Sequence, residues 1–230
     1  MFLGVVMPVV NQFELGVKAL ESIKSKHLWT PFIAANWRNR VCVAEAWNNG
    51  IYNFPDAKYV LIINDDIVLA PHTIDHMVDM MEENGELAVL SATDYRNTES
   101  PESVREMGEF HVERDLIDAP DFSCFMIRVE AFGEIGPFDT NFEKAYFEDD
   151  DYVRRIVVND KWDVRRSQRA MFYHYGSRTQ NAGGKKAVTD TEFRNNRAYY
   201  VSKWGGMPGE ENYQIPFTGN AVVSKVTLPT

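Results

Sequence analysis

Cysteine is nearly absent. Cys42 and Cys124 are the only two in 230 residues, too few and too separated for a disulfide framework. They read as buried thiols of a reducing compartment. Long apolar runs are missing as well, and Met1-Phe2-Leu3 leads straight into a strand-like stretch, so neither a signal peptide nor a membrane span is expected. That points to a cytoplasmic chain. Positive charge is scarce: 24 Lys and Arg face 34 Asp and Glu, a net charge of −10 that argues against a broad polyanion-binding face. Arg165, Arg166, Arg169, Lys185 and Lys186 leave room only for a local basic patch. There is no GxGxxG or GxxxxGK[ST] phosphate loop, no GxSxG nucleophile turn and no zinc knuckle. No internal repeat or low-complexity segment is visible.

What is present begins at residues 58–69, KYVLIINDDIVL. An uninterrupted apolar run ends abruptly in Asn64-Asp65-Asp66, as a fully buried strand would on reaching the mouth of an open sheet. Adjacent acids there are costly unless a cation or hydrogen bonds compensate them. A divalent-metal site and a solvated acidic turn both fit.

Around this stretch the chain alternates. Strands over residues 2–7, 31–35 and 58–63 enclose helices over 14–24 and 41–52, a β-α-β-α-β order that argues a parallel sheet covered by helices. A helix is expected over 72–83, with Asn84-Gly85 as a left-handed stop, then a strand over 87–92. Residues 93–105 read as loop and 107–116 as a hairpin. Strands are expected over 122–127, 162–164 and 171–174, and helices over 129–134, 147–159 and 190–203, the last capped by Asp190 or Thr191. Residues 179–186 have loop composition, and 207–230 read as an irregular tail.

Residues 147–157 are the second informative stretch. On a helix Asp149 shares a line with Val153, Ile156 and Val157, so it heads the apolar stripe and faces inward. Asp150 with Arg154, and Asp151 with Arg155, suit an outward salt-bridged face. Acids also complement a helix amino terminus, which accounts for Asp150 and Asp151 better than for Asp149. His72 and His76 have helical i,i+4 spacing without a third ligand nearby, so they read as surface histidines. A lone His174 is by itself most simply a packing residue.

In combination these pieces resemble the GT-A fold glycosyltransferases of the inverting family 2 type. The opening GVVMPVVNQFELGVKALESI is similar to that family's first strand, Pro-x-x-Asn turn and first helix. VAEAWNNGI resembles its A-x-x-x-N-x-G-I helix, and LIINDDIVL its Asp-x-Asp stretch with Asn in first place. IGPFDTNFEKAYFEDDDYVRR, HYGSRT and AYYVSKWGG are similar to three later elements, in the right order over residues 4–206. The resemblance implies an α/β GT-A domain over 1–206, with a mostly parallel Rossmann-like sheet and helices on both faces. A nucleotide-binding half would span about 1–92 and an acceptor half about 93–206.

The resemblance also implies roles. Asp66 and His174 would hold Mn²⁺ or Mg²⁺, and Asp149 would be the general base. Pro8, Val9, Asn11, Asn36, Arg40, Asn48, Asn64 and Asp65 would lie toward the nucleotide-sugar donor. Glu148, Phe122, Ser123 and Arg178 would lie on the acceptor side. The sequence departs from the family at Asn36-Trp37-Arg38-Asn39, where an acidic Gly/Ser-rich turn usually reads the base. Membrane segments or extra domains of the kind many relatives carry are not expected from these 230 residues. A carbohydrate or other hydroxyl acceptor is expected. Alternatives are a hydroxymethylated base in DNA as acceptor, a nucleotidyltransferase, for which residues 8–11 lack the Gly-rich loop, and a non-catalytic sugar-binding relative.

Overall fold

The computed structural model describes residues 1–35, 41–95, 100–176, 188–218 and 221–222. The opening alternation is realised as β1 (Phe2–Val9), α1 (Phe13–Glu21), β2 (Leu28–Ala35), α2 (Val43–Tyr52) and β3 (Tyr59–Ile63). Then come β4 (Ile67–Leu69), α3 (Thr73–Glu83), β5 (Leu87–Asp94), α4 (Pro101–Arg105), β6 (Leu116–Ile117) and β7 (Cys124–Arg128). The chain continues through α5 (Val129–Ile135), α6 (Glu148–Asn159), β8 (Asp163–His174) and α7 (Asp190–Trp204) to the short β9 (Phe217–Thr218) and β10 (Ala221–Val222).

The main sheet has the order β2-β1-β3-β7-β5-β8-β4, with β6 also paired to β8. β1, β2, β3, β5 and β8 run one way, while β4, β6 and β7 run the other. The sheet is thus mostly parallel and buried on both faces. Tyr59, Leu61 and Ile63 of β3 join a core with α1 and α3, whereas Val60 and Ile62 join a second core with α2, α5 and α6. Both parities of the strand are apolar for this reason, and no alternation shows in its sequence. On α2 the backbone passes so close to β1 that a Cβ at Gly50 would lie 2.3 Å from Val6 Cγ1.

The expected elements are corrected in several places. The two short strands over 162–164 and 171–174 are one strand, β8. Its polar middle is accommodated because Arg165 bonds Asp163 (2.6 Å) and Asp118, and Ser167 donates to Asp115 Oδ1 at 2.8 Å. No hairpin forms over 107–116; only Leu116–Ile117 pairs. The expected loop over 93–105 contains α4, whose Ser100 cap and Pro101 start it. Asn84 ends α3 at φ −120° rather than left-handed, its side chain donating to the Met80 carbonyl at 2.8 Å. Thr189, not Asp190 or Thr191, caps α7, in a reciprocal pair with Glu192. His76 is no surface residue, since its Nε2 lies 2.6 Å from Asp115 Oδ2 and ties the 107–115 segment to α3. His72 is half-buried, and burial pushes its pKa down. The expected loop over 179–186 lies outside the described residues. The first part of the tail is pinned: the Asn212 and Tyr213 N–H groups donate to Trp204 O at 3.1 and 3.0 Å. Among the described residues no helix is long and apolar enough to cross a membrane.

Candidate active site

Strand directions bring the informative residues to one edge of the sheet. Ile63 at the end of β3 pairs with Cys124 at the start of β7, and Asp94 at the end of β5 pairs with Phe172. His174, the last residue of β8, pairs with Ile67, the first of β4. The Asn64-Asp65-Asp66 turn therefore runs along the carboxyl edge of the sheet, where open α/β sheets form their crevice.

There the Asp66 and His174 side chains meet, Oδ1 to Nε2 at 3.1 Å, both largely buried. The other ring nitrogen of His174 faces Asp94 Oδ2 at 3.6 Å. Burial would lower the His174 pKa, but the bonded Asp66 and the charges of Asp94 and Asp121 outweigh it and hold the imidazole above its ordinary value. Asp121 also acts on Asp149, so it lies within electrostatic reach of both groups. Asp94 and Asp121 escaped the sequence reading. The signal was faint: Asp94 is a single acid at the end of β5 and Asp121 a single acid in the turn just before β7, and only the sheet order shows that they share an edge.

Asp149 sits in the first turn of α6, partly buried, its Oδ1 accepting the Asp150 N–H at 2.9 Å. Burial raises its pKa despite several backbone donors. Beside it Glu148 is buried, and desolvation, then the charge of Asp149, holds its carboxyl well above the usual range. The expected inward stripe is corrected. Val157 is 56% exposed, and it is Glu148, Asp151, Tyr152 and Ile156 that face inward. Asp151 keeps its Arg155 partner at 3.0 Å, but inside the protein. It also accepts from Trp204 Nε1 at 2.8 Å and Lys203 Nζ at 2.7 Å. Arg154 turns to the Tyr213 carbonyl at 2.8 Å.

The chain enters α6 by an unusual path. Lys144, Tyr146 and Phe147 have φ of 53°, 83° and 73°, left-handed values that cost a side-chain-bearing residue about 1–2 kcal/mol each. Helix α7 holds this loop. Buried Asn196 accepts from Glu143 N–H at 2.6 Å and donates to the carbonyls of Glu143, Ala145 and Tyr146 at 2.8, 2.9 and 3.2 Å. Lys144 pairs with Glu192 at 2.7 Å, and Lys203 bridges Asp139 (2.5 Å) and Asp151.

The other expected site residues divide. Asn64 lies at the edge, its N–H donating to Ser123 O at 2.9 Å, and Asp65 is buried beside it. Ser123 N–H donates to Asp121 Oδ1 at 2.8 Å. Val9 is core, Pro8 half-buried and Asn11 exposed at the end of β1. Asn48 is buried, its amide exchanging two 2.9 Å bonds with the Phe138 backbone and tying α2 to the loop before α6. Phe122 is buried among Trp47, Phe125 and Phe138. Asn36, Arg40 and Arg178 lie outside the described residues.

A carboxylate and an imidazole nitrogen about 3 Å apart suit neighbouring positions on a cation with bonds of about 2.1 Å. Among the described residues no cluster of three such ligands occurs. A site of this kind would leave positions for substrate phosphates and water, as Mg²⁺ and Mn²⁺ sites commonly do.

This sheet, with helices on both faces and its acids at the carboxyl edge, is the GT-A fold of glycosyltransferases. The profile described as glycosyl transferase family 2 matches residues 17–136, and the chain belongs to that family. No curated protein matches it by sequence. Among solved structures it is similar to Drosophila β-1,4-galactosyltransferase 7, a point mutant in complex with manganese, UDP-Gal and xylobiose. The TM-score is 0.55 at 14% identity over 84% of this chain and 78% of that one. It is also similar to S. aureus TarS 1–349 in complex with UDP, with a TM-score of 0.52 and 11% identity over 75% of this chain and 60% of that one. The same protein with UDP-GlcNAc gives 0.50 at 13% identity over 75% and 58%.

Proposed function

We propose that this glycosyltransferase moves a sugar from a nucleotide-sugar donor to an acceptor hydroxyl with inversion, Asp149 acting as general base. The observation that carries the reading is the meeting of Asp66 and His174 at the carboxyl edge of the sheet, 3.1 Å apart. A Mn²⁺ or Mg²⁺ ion held by Asp66 and His174 would supply positive charge against the departing nucleoside diphosphate. Asp149 takes the acceptor proton. Its raised pKa makes it a stronger base than a solvated carboxylate. Attack opposite the leaving group then inverts the anomeric centre in one displacement.

The relatives with UDP, UDP-Gal and UDP-GlcNAc make uridine diphosphate sugars the first donors to try, and the xylobiose complex makes a carbohydrate the first acceptor. Of the basic residues weighed for a DNA acceptor, Arg165 is paired with Asp163 and Asp118, and Lys185 and Lys186 lie outside the described residues. Thermal-shift screening of UDP, GDP, dTDP and CDP with and without Mn²⁺ identifies the donor base. Asp149→Asn should keep Mn²⁺-supported nucleotide binding and lose transfer, and Asp66→Ala should lose that binding. Wild-type transfer by Asp149→Asn would refute the base assignment.

A further inference from the structure

We infer that Asn196, on helix α7 and distant in sequence from the acids, is a positioning residue that sets where Asp149 stands. The inference rests on the reading of Asp149 as the base. Three of the four residues from 144 to 147 adopt left-handed backbone although none is glycine. Such conformations persist only where the surroundings over-determine them, and they gather at sites that use the resulting geometry.

Packing of Tyr146 on Phe193 and of Phe147 on Phe193 and Tyr200 holds the ring side chains of this loop, and one polar side chain from α7 grips its carbonyls. Asn196 is 1% exposed and uses both ends of its amide on the loop. Two N–H hydrogens shared among three carbonyls, with the oxygen accepting a fourth bond, is close to all an amide can offer. The peptide units it grips lead directly into Phe147, whose left-handed φ of 73° turns the chain into α6. The first turn of α6 then presents Glu148 and Asp149. Other ties hold the loop's ends: Lys144 pairs with Glu192, and its carbonyl accepts Val43 N–H at 2.6 Å. Within the loop, hydrogen bonds to the Ala145 and Tyr146 carbonyls come from Asn196. Without them the strain at Tyr146 and Phe147 has a route to relax, and Asp149 moves with it.

The test is a double-mutant cycle on the full chain, pairing Asn196→Ala with Tyr146→Gly. Glycine carries no penalty at positive φ, so it removes the backbone strain at this position; it also deletes the ring contact of Tyr146 with Phe193, a cost that the Tyr146→Gly single variant measures by itself. Transfer is followed at saturating donor and acceptor with Mn²⁺, and UDP binding with Mn²⁺ is measured alongside. Asn196→Ala should lower kcat about 10²-fold, the scale of a 1 Å misplacement, with the UDP Kd changed by less than about twofold. In the Tyr146→Gly background the same change should cost about tenfold less. Should the alanine variant not accumulate folded, Asn196→Asp, which keeps the size and the acceptor but loses the donors, is read in the same way. A kcat near wild type, or equal costs in both backgrounds, overturns the proposal. Asp149→Asn run in parallel separates the two readings: if it transfers at wild-type rate the base assignment has failed, whereas if it is inactive and Asn196→Ala is not impaired, only the positioning role has.

Discussion

Replacing Lys203 with methionine gives a sharp test of how α7 and α6 are joined. The ammonium is buried and bridges Asp139 at 2.5 Å and Asp151 at 2.7 Å. Removing one member of a buried ionic group costs about 3–5 kcal/mol, because the abandoned charges stay desolvated. Arg155 and Trp204 still serve Asp151, and Tyr199 still donates to Asp139, so about 3 kcal/mol is expected. For a chain of this size that lowers Tm by about 6–12 °C. The loss should also depend on pH. Burial works to raise the Asp139 pKa, yet the charge and bond of Lys203, with lesser help from Asn141 N–H and Tyr199, hold it at about 2. A carboxyl depressed in the fold stabilises above its unfolded value and loses that contribution as pH falls through the window from about 4 to about 2. The variant has given up most of this increment already. The stability gap between wild type and Lys203→Met, from urea unfolding followed by tryptophan fluorescence, should therefore narrow by on the order of 1 kcal/mol between pH 5 and pH 3. A gap that stays constant or widens refutes the reasoning.

If His174 holds the cation as proposed, Asp94→Ala should weaken Mn²⁺ binding in the presence of UDP about 10–100-fold by calorimetry, since the Asp94 carboxylate faces the far ring nitrogen at 3.6 Å and an acid there orients the imidazole. Asp150 has its pKa raised to about 7 by burial, then by the charges of Asp149, Glu211 and Asp151, so its ionised form weighs on the fold as pH climbs from about 4 to 7. Asp150→Asn should accordingly raise Tm at pH 8 by more than at pH 5, and equal shifts would contradict this. Gly50→Ala gains about 1 kcal/mol of helix propensity. It also forces a Cβ to 2.3 Å from Val6 Cγ1, and overpacking of about 1–3 kcal/mol should prevail in denaturant unfolding.

Most elements were legible because each carries a local signal. The apolar run of residues 59–63 announces a strand buried on both sides, and the stop at Asn64 fixes where its acids emerge. Helix α2 was legible for the same reason. What was hidden depends on contacts between distant segments. β7 runs against its neighbours in mid-sheet, and nothing in CFMIR encodes direction. The polar middle of β8 looks like loop until Asp115 and Asp118 come to meet it. Asp151 showed its i,i+4 partner in sequence, but only the packing of α7 reveals that the pair points inward. Asp121 and Asn196 each carry no periodicity at all. Their placement comes from the strand order and from three left-handed residues that composition does not betray.

Asp66 and His174 are 108 positions apart, joined only when β8 lies down against β4. A chain emerging from synthesis exposes both edge acids and the candidate base long before the histidine arrives. Under the proposed metal assignment, copies that stop before β8 would lack half of the cation site. During synchronised refolding, Mn²⁺-dependent nucleotide binding should appear no earlier than hydrogen-exchange protection of the β8 amides.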